Sequence, residues 1–452
     1  MVEKKFERIV GAPAEMLDRT VTISENIVNH GGVKKARKYW HNLGPGLTTG
    51  ASDDDPSGIA TYSQTGAAYG FQLLWLAGFT FPLMAIVQEM CARIGLVTGR
   101  GLAGNIRIYF PKWVLYICTA LLFFANTLNI GADIGAMAKS TQLIFPNISF
   151  ATLVFAFAIV SLGLQIFVSY EKYARYLKYL ALILLSYIAA ALLVKLNYKD
   201  LITGALIPTI KITREQIFLI CAVLGTTISP YLFFWQTSQE VEESILKGQT
   251  SIKLRQEAVS DKEIKLMRQD VWSGMFLSNL VMFFIIAATA ATLFANGITN
   301  IPTVAEAAAA LRPIAGEHAY LLFTLGVIGT GMLAIPVLAG SASYAMSESF
   351  GWKTGLYRKL KEANAFYGII IISTFLGVAL NFVGIDPIKA LIFAAVVNGI
   401  VAPVILVLIV LLSSNKKVMG DRVNHPIATV LGLLITGLMA LAGIATIIFL
   451  LF

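Results

Sequence analysis

Residues 43–76 read LGPGLTTGASDDDPSGIATYSQTGAAYGFQLLWL, a largely uncharged stretch long enough to cross a bilayer, yet Asp53, Asp54 and Asp55 stand in its middle and Pro56 follows them. An ionised carboxylate at mid-membrane costs about 2.5 to more than 10 kcal/mol and is rarely found there without a partner. In an unbroken helix three consecutive carboxylates would fan out at about 100° intervals and could not share one partner. Pro56 removes a backbone donor and clashes with the preceding turn, so the helix is expected to unwind here, freeing carbonyls as well as carboxylates. A divalent cation accounts for both, being hard, oxygen-seeking and able to neutralise two carboxylates.

Composition supports the membrane setting. The chain has 452 residues, of which 57% are hydrophobic and 13% charged, against about 25% charged in soluble domains. Eleven apolar runs are long enough to span a hydrocarbon core of about 30 Å. They cover 44–69, 72–97, 113–138, 150–169, 174–194, 214–239, 272–295, 319–346, 364–383, 388–412 and 427–450. Residues 1–43 are polar with scattered charge and read as a cytoplasmic tail. With that end inside, 28 of the 35 lysines and arginines fall on the cytoplasmic side, the distribution expected of inner loops. The net charge of +9 is then a topological signal and not a nucleic-acid footprint. An odd number of spans sends the end of the chain to the outer face. Cys91, Cys118 and Cys221 are isolated in apolar segments, suggesting neither a disulfide frame nor a thiolate metal site.

A second interruption lies in segment six, where LGTTISPYLF (224–233) carries Gly225 and Pro230. The two breaks are five segments apart, the spacing given by two inverted five-helix repeats, 44–212 and 213–413, with 414–452 adding an eleventh helix. In such an architecture the substrate sits between the unwound helices. The second break offers Thr226, Thr227, Ser229 and Tyr231, and segment ten offers Asn398. No Met, Cys or His lies in these stretches. Carboxylate, carbonyl and water suit magnesium, calcium and manganese, whereas thiolate, thioether and imidazole select zinc, copper, iron and nickel.

Other features have plainer readings. Glu89 and Arg93, four apart on segment two, are expected to pair near the inner surface. Gly66/Gly70 and Gly131/Gly135 have small-residue helix-packing spacing. Residues 240–271 mix acids and bases and read as a solvated helix extending segment six. Asp133 is intramembrane, with a functional role and a buried pair both open. No phosphate-binding loop and no HExxH motif is present, so ATP-driven transport by this chain alone is not indicated.

The stretch GPGLTTGASDDDPSGIATYSQTGAAYGFQLLW, followed by VQEMCARIGLVTGRGLAGNIR, resembles the first two helices of the NRAMP family of divalent-metal transporters. The resemblance implies a LeuT-type fold, an Asp-Pro-Gly-Asn metal motif in helix one and a Met-Pro-His motif in helix six. Asp55 and Pro56 fall on the first two positions of the former, with Ser57 in place of the glycine and Gly58 in place of the metal-binding asparagine. In the latter, Ser229 replaces the methionine, Pro230 is kept and Tyr231 replaces the histidine. The family's proton-transfer acids on helix three align with Asn129 and Ala132. These departures resemble the divergent NRAMP-related magnesium transporters, which hold a largely hydrated ion and lack proton coupling.

The sequence thus leads to an all-α polytopic membrane protein of LeuT type, importing divalent cations across the plasma membrane by alternating access. Magnesium is the expected cargo, with manganese also accepted, and no resident cofactor is expected. Asp55 is the expected principal ligand, supported by Asp53 or Asp54, by carbonyls near Ser52 and Thr226, and by the Ser229, Tyr231 and Asn398 side chains. Two rivals remain: a proton-coupled manganese/iron transporter of the same family, and a sodium-coupled amino-acid carrier of the same fold. Three acids at the break disfavour an anionic substrate group, and no nucleophile–base pairing favours an enzyme.

Overall fold

The computed structural model describes residues 39–40, 43–168, 197–301, 303–309, 319–451 and the single positions 172, 176, 179, 188 and 316. All regular secondary structure among them is helical. The expected tail, apart from residues 39, 40 and 43, and the fifth span at 174–194, apart from residues 176, 179 and 188, lie outside the described residues.

Segment one is two half-helices, α1 (Pro45–Asp53) and α2 (Pro56–Tyr69). Asp54 leaves helical geometry, and Asp55 is extended with Pro56 as the first helical residue after it. There follow α3 (Trp75–Thr98), the short α4 (Leu102–Tyr109), α5 (Lys112–Gln142), α6 (Phe150–Phe167) and α7 (Tyr198–Leu206). Segment six is likewise broken into α8 (Arg214–Thr227) and α9 (Pro230–Leu246), with Ile228 and Ser229 non-helical and Pro230 starting the second half. Four long or apolar helices come next: α10 (Asp261–Thr292), α11 (Ala319–Phe350), α12 (Asn364–Leu380) and α13 (Pro387–Ser414). The last is α14 (Pro426–Leu451). A proline with fixed φ and no N–H suits the first turn of a helix, which is why both breaks restart at one.

Eight helices among the described residues are long and apolar enough to cross a membrane, taking α8 and α9 as one. The divided first segment and the 17-residue α12 account for two more of the expected spans. Segment seven begins eleven residues before its expected start, at Asp261, because Ser260 and Glu263 form a capping box there.

The glycines set the closest approaches. A Cβ on Gly50 would lie 2.3 Å from the Gly274 carbonyl oxygen, and one on Gly274 2.1 Å from that of Gly46, so α1 lies main chain on main chain against α10. Gly131 meets the backbone of Gly377 in the same way, as helix-packing spacing predicts. Gly66 packs on Thr289 and the Ile286 carbonyl, but Gly70 is a helix terminator with φ +57°.

Two sequence expectations change. Glu89 does not pair with Arg93: it accepts from Arg268 at 2.9 Å and from the Trp272 indole at 2.9 Å. Arg93 instead donates to Asn424 and to the Val423 carbonyl. The longer α10 brings Arg268 within reach of Glu89, a partner invisible to same-helix spacing. Residues 240–271 are also not one solvated helix. The chain turns at Gly248 (φ +88°), and Ser251 caps a separate short helix, Ile252–Glu257. Glu242 is buried, accepting from the Leu356 and Tyr357 amides at 2.8 and 3.2 Å and from the Tyr344 hydroxyl.

Candidate ion site between the two broken helices

The two breaks face each other. The Tyr231 hydroxyl, at the start of α9, donates to the Ser52 carbonyl at the end of α1 (2.8 Å). Ser57 Oγ and Thr226 Oγ1 lie 3.4 Å apart, and the Tyr62 and Thr227 hydroxyls 3.2 Å apart. A Cβ on Gly58 would stand 3.1 Å from the Asp53 carbonyl and 3.3 Å from Thr226 Oγ1, so the bare Cα lets the two breaks close on each other.

Asp55 is the best-held of the three acids. Its Oδ1 accepts from the Gly58 amide and from Ser57 Oγ, both at 2.7 Å, and its Oδ2 accepts from the Asn129 side-chain amide at 2.8 Å. It therefore caps α2 while being tied to α5. Asp53 points elsewhere, with Oδ2 accepting from Ser278 of α10 at 2.6 Å and Oδ1 left without a donor. Both oxygens of Asp54 are buried without a hydrogen-bond partner. The acids diverge as unwinding allows, and among the described residues no three acidic, histidine or cysteine side chains converge on one metal position.

Of the expected ligands, several are occupied with one another. The Ser52 carbonyl receives Tyr231, and the Thr226 carbonyl receives Ser229 Oγ at 2.8 Å, which also reaches the Gly225 carbonyl at 2.6 Å. The carbonyls expected to be open thus receive donors from within the protein, as buried backbone carbonyls generally do. Each retains a second lone pair, as does Ser229 Oγ. Asn398, on a helix packed against α2, α5 and α8, is fully buried and both its amide atoms lack partners.

The remaining demand is for positive charge. Asp53 Oδ1, both oxygens of Asp54, Asn129 Oδ1 and both oxygens of Asp133 are buried acceptors with no donor. Asp133 lies one helical turn beyond Asn129 on α5. The buried arginines among the described residues, Arg93 near the end of α3 and Arg255 in the short helix Ile252–Glu257, make no hydrogen bond to these acceptors. Such a set of acceptors suits a cation or its water shell. Ser278 and the direct Asn129–Asp55 contact were not foreseen. Ser278 has no local signal, and Asn129 was singled out only as an aligned position.

The protein-family model for natural resistance-associated macrophage protein-like (Nramp) proteins matches residues 46–449. The chain belongs to this family. Among its curated relatives, the divalent metal cation transporter MntH of Aeromonas hydrophila is 26% identical over 416 residues, covering 89% of this Nramp chain and 94% of the relative. The Eremococcus coleocola manganese transporter superposes with a TM-score of 0.69 at 17% identity, covering 93% of this chain and 88% of that one. Mhp1, a nucleobase-cation-symport-1 family transporter, superposes at 0.55 and 13% identity over 90% of this chain and 91% of its own. These superpositions establish the fold: this Nramp protein is a multi-pass membrane protein of LeuT type.

Proposed function

We propose that this Nramp-family chain is a secondary transporter importing divalent metal cations by alternating access, with Mg2+ the principal cargo, Mn2+ also accepted and no proton coupling. The divalent-cation class rests on family membership and on relatives named as divalent metal cation transporters. A transporter and not an enzyme follows from the same membership. The two repeats are 44–212 and 213–413, and the protein sits in the plasma membrane with its N-terminus cytoplasmic and its C-terminus outside.

One observation carries the choice of magnesium: the side chains of the breaks themselves that can reach a cation, Asp53 to Asp55, Ser57, Thr226, Thr227, Ser229 and Tyr231, offer oxygen, and the nearby thioethers of Met137 and Met282 belong to the flanking helices α5 and α10. Asp55 is the anchor, with Asp53 and Asp54 adding charge. Ser229 stands where the family resemblance has a thioether, and Tyr231 where it has an imidazole. Losing the soft ligands removes the preference for transition metals. Magnesium dehydrates reluctantly and keeps several waters while touching one or two carboxylates. Scattered, non-converging acceptors at Asp54, Asn129, Asp133 and Asn398 fit a hydrated ion better than a naked one.

The experiment is metal uptake into proteoliposomes, comparing magnesium, manganese, calcium and iron while lumenal pH is followed. Magnesium uptake without a pH change is expected. Manganese or iron uptake with stoichiometric acidification would replace this reading with the coupled one, and amino-acid uptake without divalent flux would replace both.

A further inference from the structure

At the inner end of the bundle a cavity of about 510 Å³ opens between α3, α10 and the segment leading into α14. Arg93, Lys265, Arg268 and Arg422 line it, against one acid, Asp261. Asp261 pairs with Arg422, and Glu89, just outside, pairs with Arg268, which leaves an excess of two positive charges. Among the described residues Lys265 is in none of the ion pairs, and the Nε of the buried Arg93 has no acceptor. Collected cations with unmet bonds in one recess call for an anion of several oxygens.

The wall above the recess identifies which anion. Lys265, Arg268, Trp272 and Phe276 follow one another along a single stripe of α10, at the helical spacing of three and four. The stripe rises about 16 Å, of which about the last 6 Å, from Trp272 to Phe276, enters the hydrocarbon. Its upper part is aromatic: Phe81 of α3 packs edge-on against both Trp272 and Phe276, and Phe276 is 54% exposed. Trp272, its indole bonded to Glu89, marks the interface between the charged and the apolar portions. Cations below and an open aromatic surface above reproduce the order of a lipid from headgroup to acyl chain. Lysines and arginines also assign this end to the cytoplasmic leaflet, where anionic lipids concentrate.

We infer that the α3–α10 recess is a binding site for an anionic phospholipid, whose phosphate sits among Arg93, Lys265, Arg268 and Arg422 and whose acyl chain lies along Trp272 and Phe276. The inference is independent of which metal the protein carries.

The test uses the full chain in detergent, examined by native mass spectrometry with phosphatidylglycerol or phosphatidylcholine of identical acyl chains. A retained adduct specific to phosphatidylglycerol is expected. The Lys265→Gln, Arg422→Gln double variant should weaken it on the order of 30-fold, and Lys265→Gln alone about fivefold, from two and one surface cations. The single variant, at an exposed position, carries the test should the double one fail to fold. Equal retention of the two lipids, or an unchanged adduct in the variants, overturns the inference. So does displacement by inorganic phosphate, which would make the recess a soluble-anion site.

Discussion

The side-chain amide of Asn129 donates to Asp55 Oδ2 at 2.8 Å, joining the break in segment one to α5. A carboxylate that accepts three hydrogen bonds is held in one orientation before any ion arrives. Asp55→Ala should abolish magnesium uptake while the protein stays monodisperse. The lost helix cap costs about 1 kcal/mol, offset by no longer burying the acid. Asn129→Ala should keep the anchor but loosen it, raising KM roughly tenfold, in line with a charged hydrogen bond worth about 1.5–3 kcal/mol. Uptake at the parental rate by a folded Asp55→Ala protein would remove this residue from the site.

Selectivity can be tested by returning the soft ligand. Ser229→Met with Gly58→Asn should raise manganese uptake relative to magnesium, since a thioether matches a transition metal and the larger side chain excludes water. The structure adds a cost to each change. Ser229→Met leaves the Gly225 and Thr226 carbonyls without the hydroxyl that donates to them, and a side chain at position 58 must shift Asp53 or Thr226 by a few tenths of an ångström. Ser229→Met alone is therefore the cleaner variant. A folded, active protein with the parental ratio of the two fluxes would place selectivity elsewhere.

Uncoupled uptake is energetically adequate, because an inside-negative potential supplies about 2.3 kcal/mol per charge per 100 mV, doubled for a divalent ion. Vesicles clamped at fixed potential with no initial pH gradient should show magnesium influx and no lumenal acidification. Asp133 is the residue on which this could fail, being buried, without a partner and one turn from Asn129. Acidification that scales with flux and vanishes in Asp133→Asn would establish coupling through it.

Asp270 of α10 accepts from the amides of Gly44, Gly46 and Leu47 at 2.7–3.1 Å, capping α1 from outside its own segment. Asp270→Asn removes the charge from that clamp, and α1 should part from α10 more often. A cysteine introduced at the buried Thr49 should then react with a membrane-permeant maleimide roughly tenfold faster than in an otherwise wild-type chain. The native Cys91, Cys118 and Cys221 are buried, so background labelling should be low. Equal rates would show that the clamp does not hold the half-helix.

What the sequence revealed and what it hid divide along physical lines. Pro56 and Pro230 act through local sterics, and the helices break where those residues require. Hydrophobic length located the described spans to within a few residues, except at the end of segment six, where α9 runs on seven residues to Leu246, and at α10, whose start is set by a capping box and not by apolarity. The partners of the acids were not legible: Ser278 lies 225 residues from Asp53, and nothing in local spacing announces it. The same holds for Glu89, whose partner at Arg268 displaced the one a single helix would suggest. Ser229 and Tyr231 were recognised as belonging to the breaks, but their bonds to carbonyls are a property of the closed packing.

Where Gly46 and Gly50 meet Gly274, backbone rests on backbone with nothing between them that can rotate aside. A side-chain interface can yield by degrees, one rotamer at a time. This seam has no such gradations: the two helices are either in register or apart, and any added methyl group acts as a wedge. The start of the first half-helix is in that sense held by a catch, and the catch is made by the smallest residues in the chain.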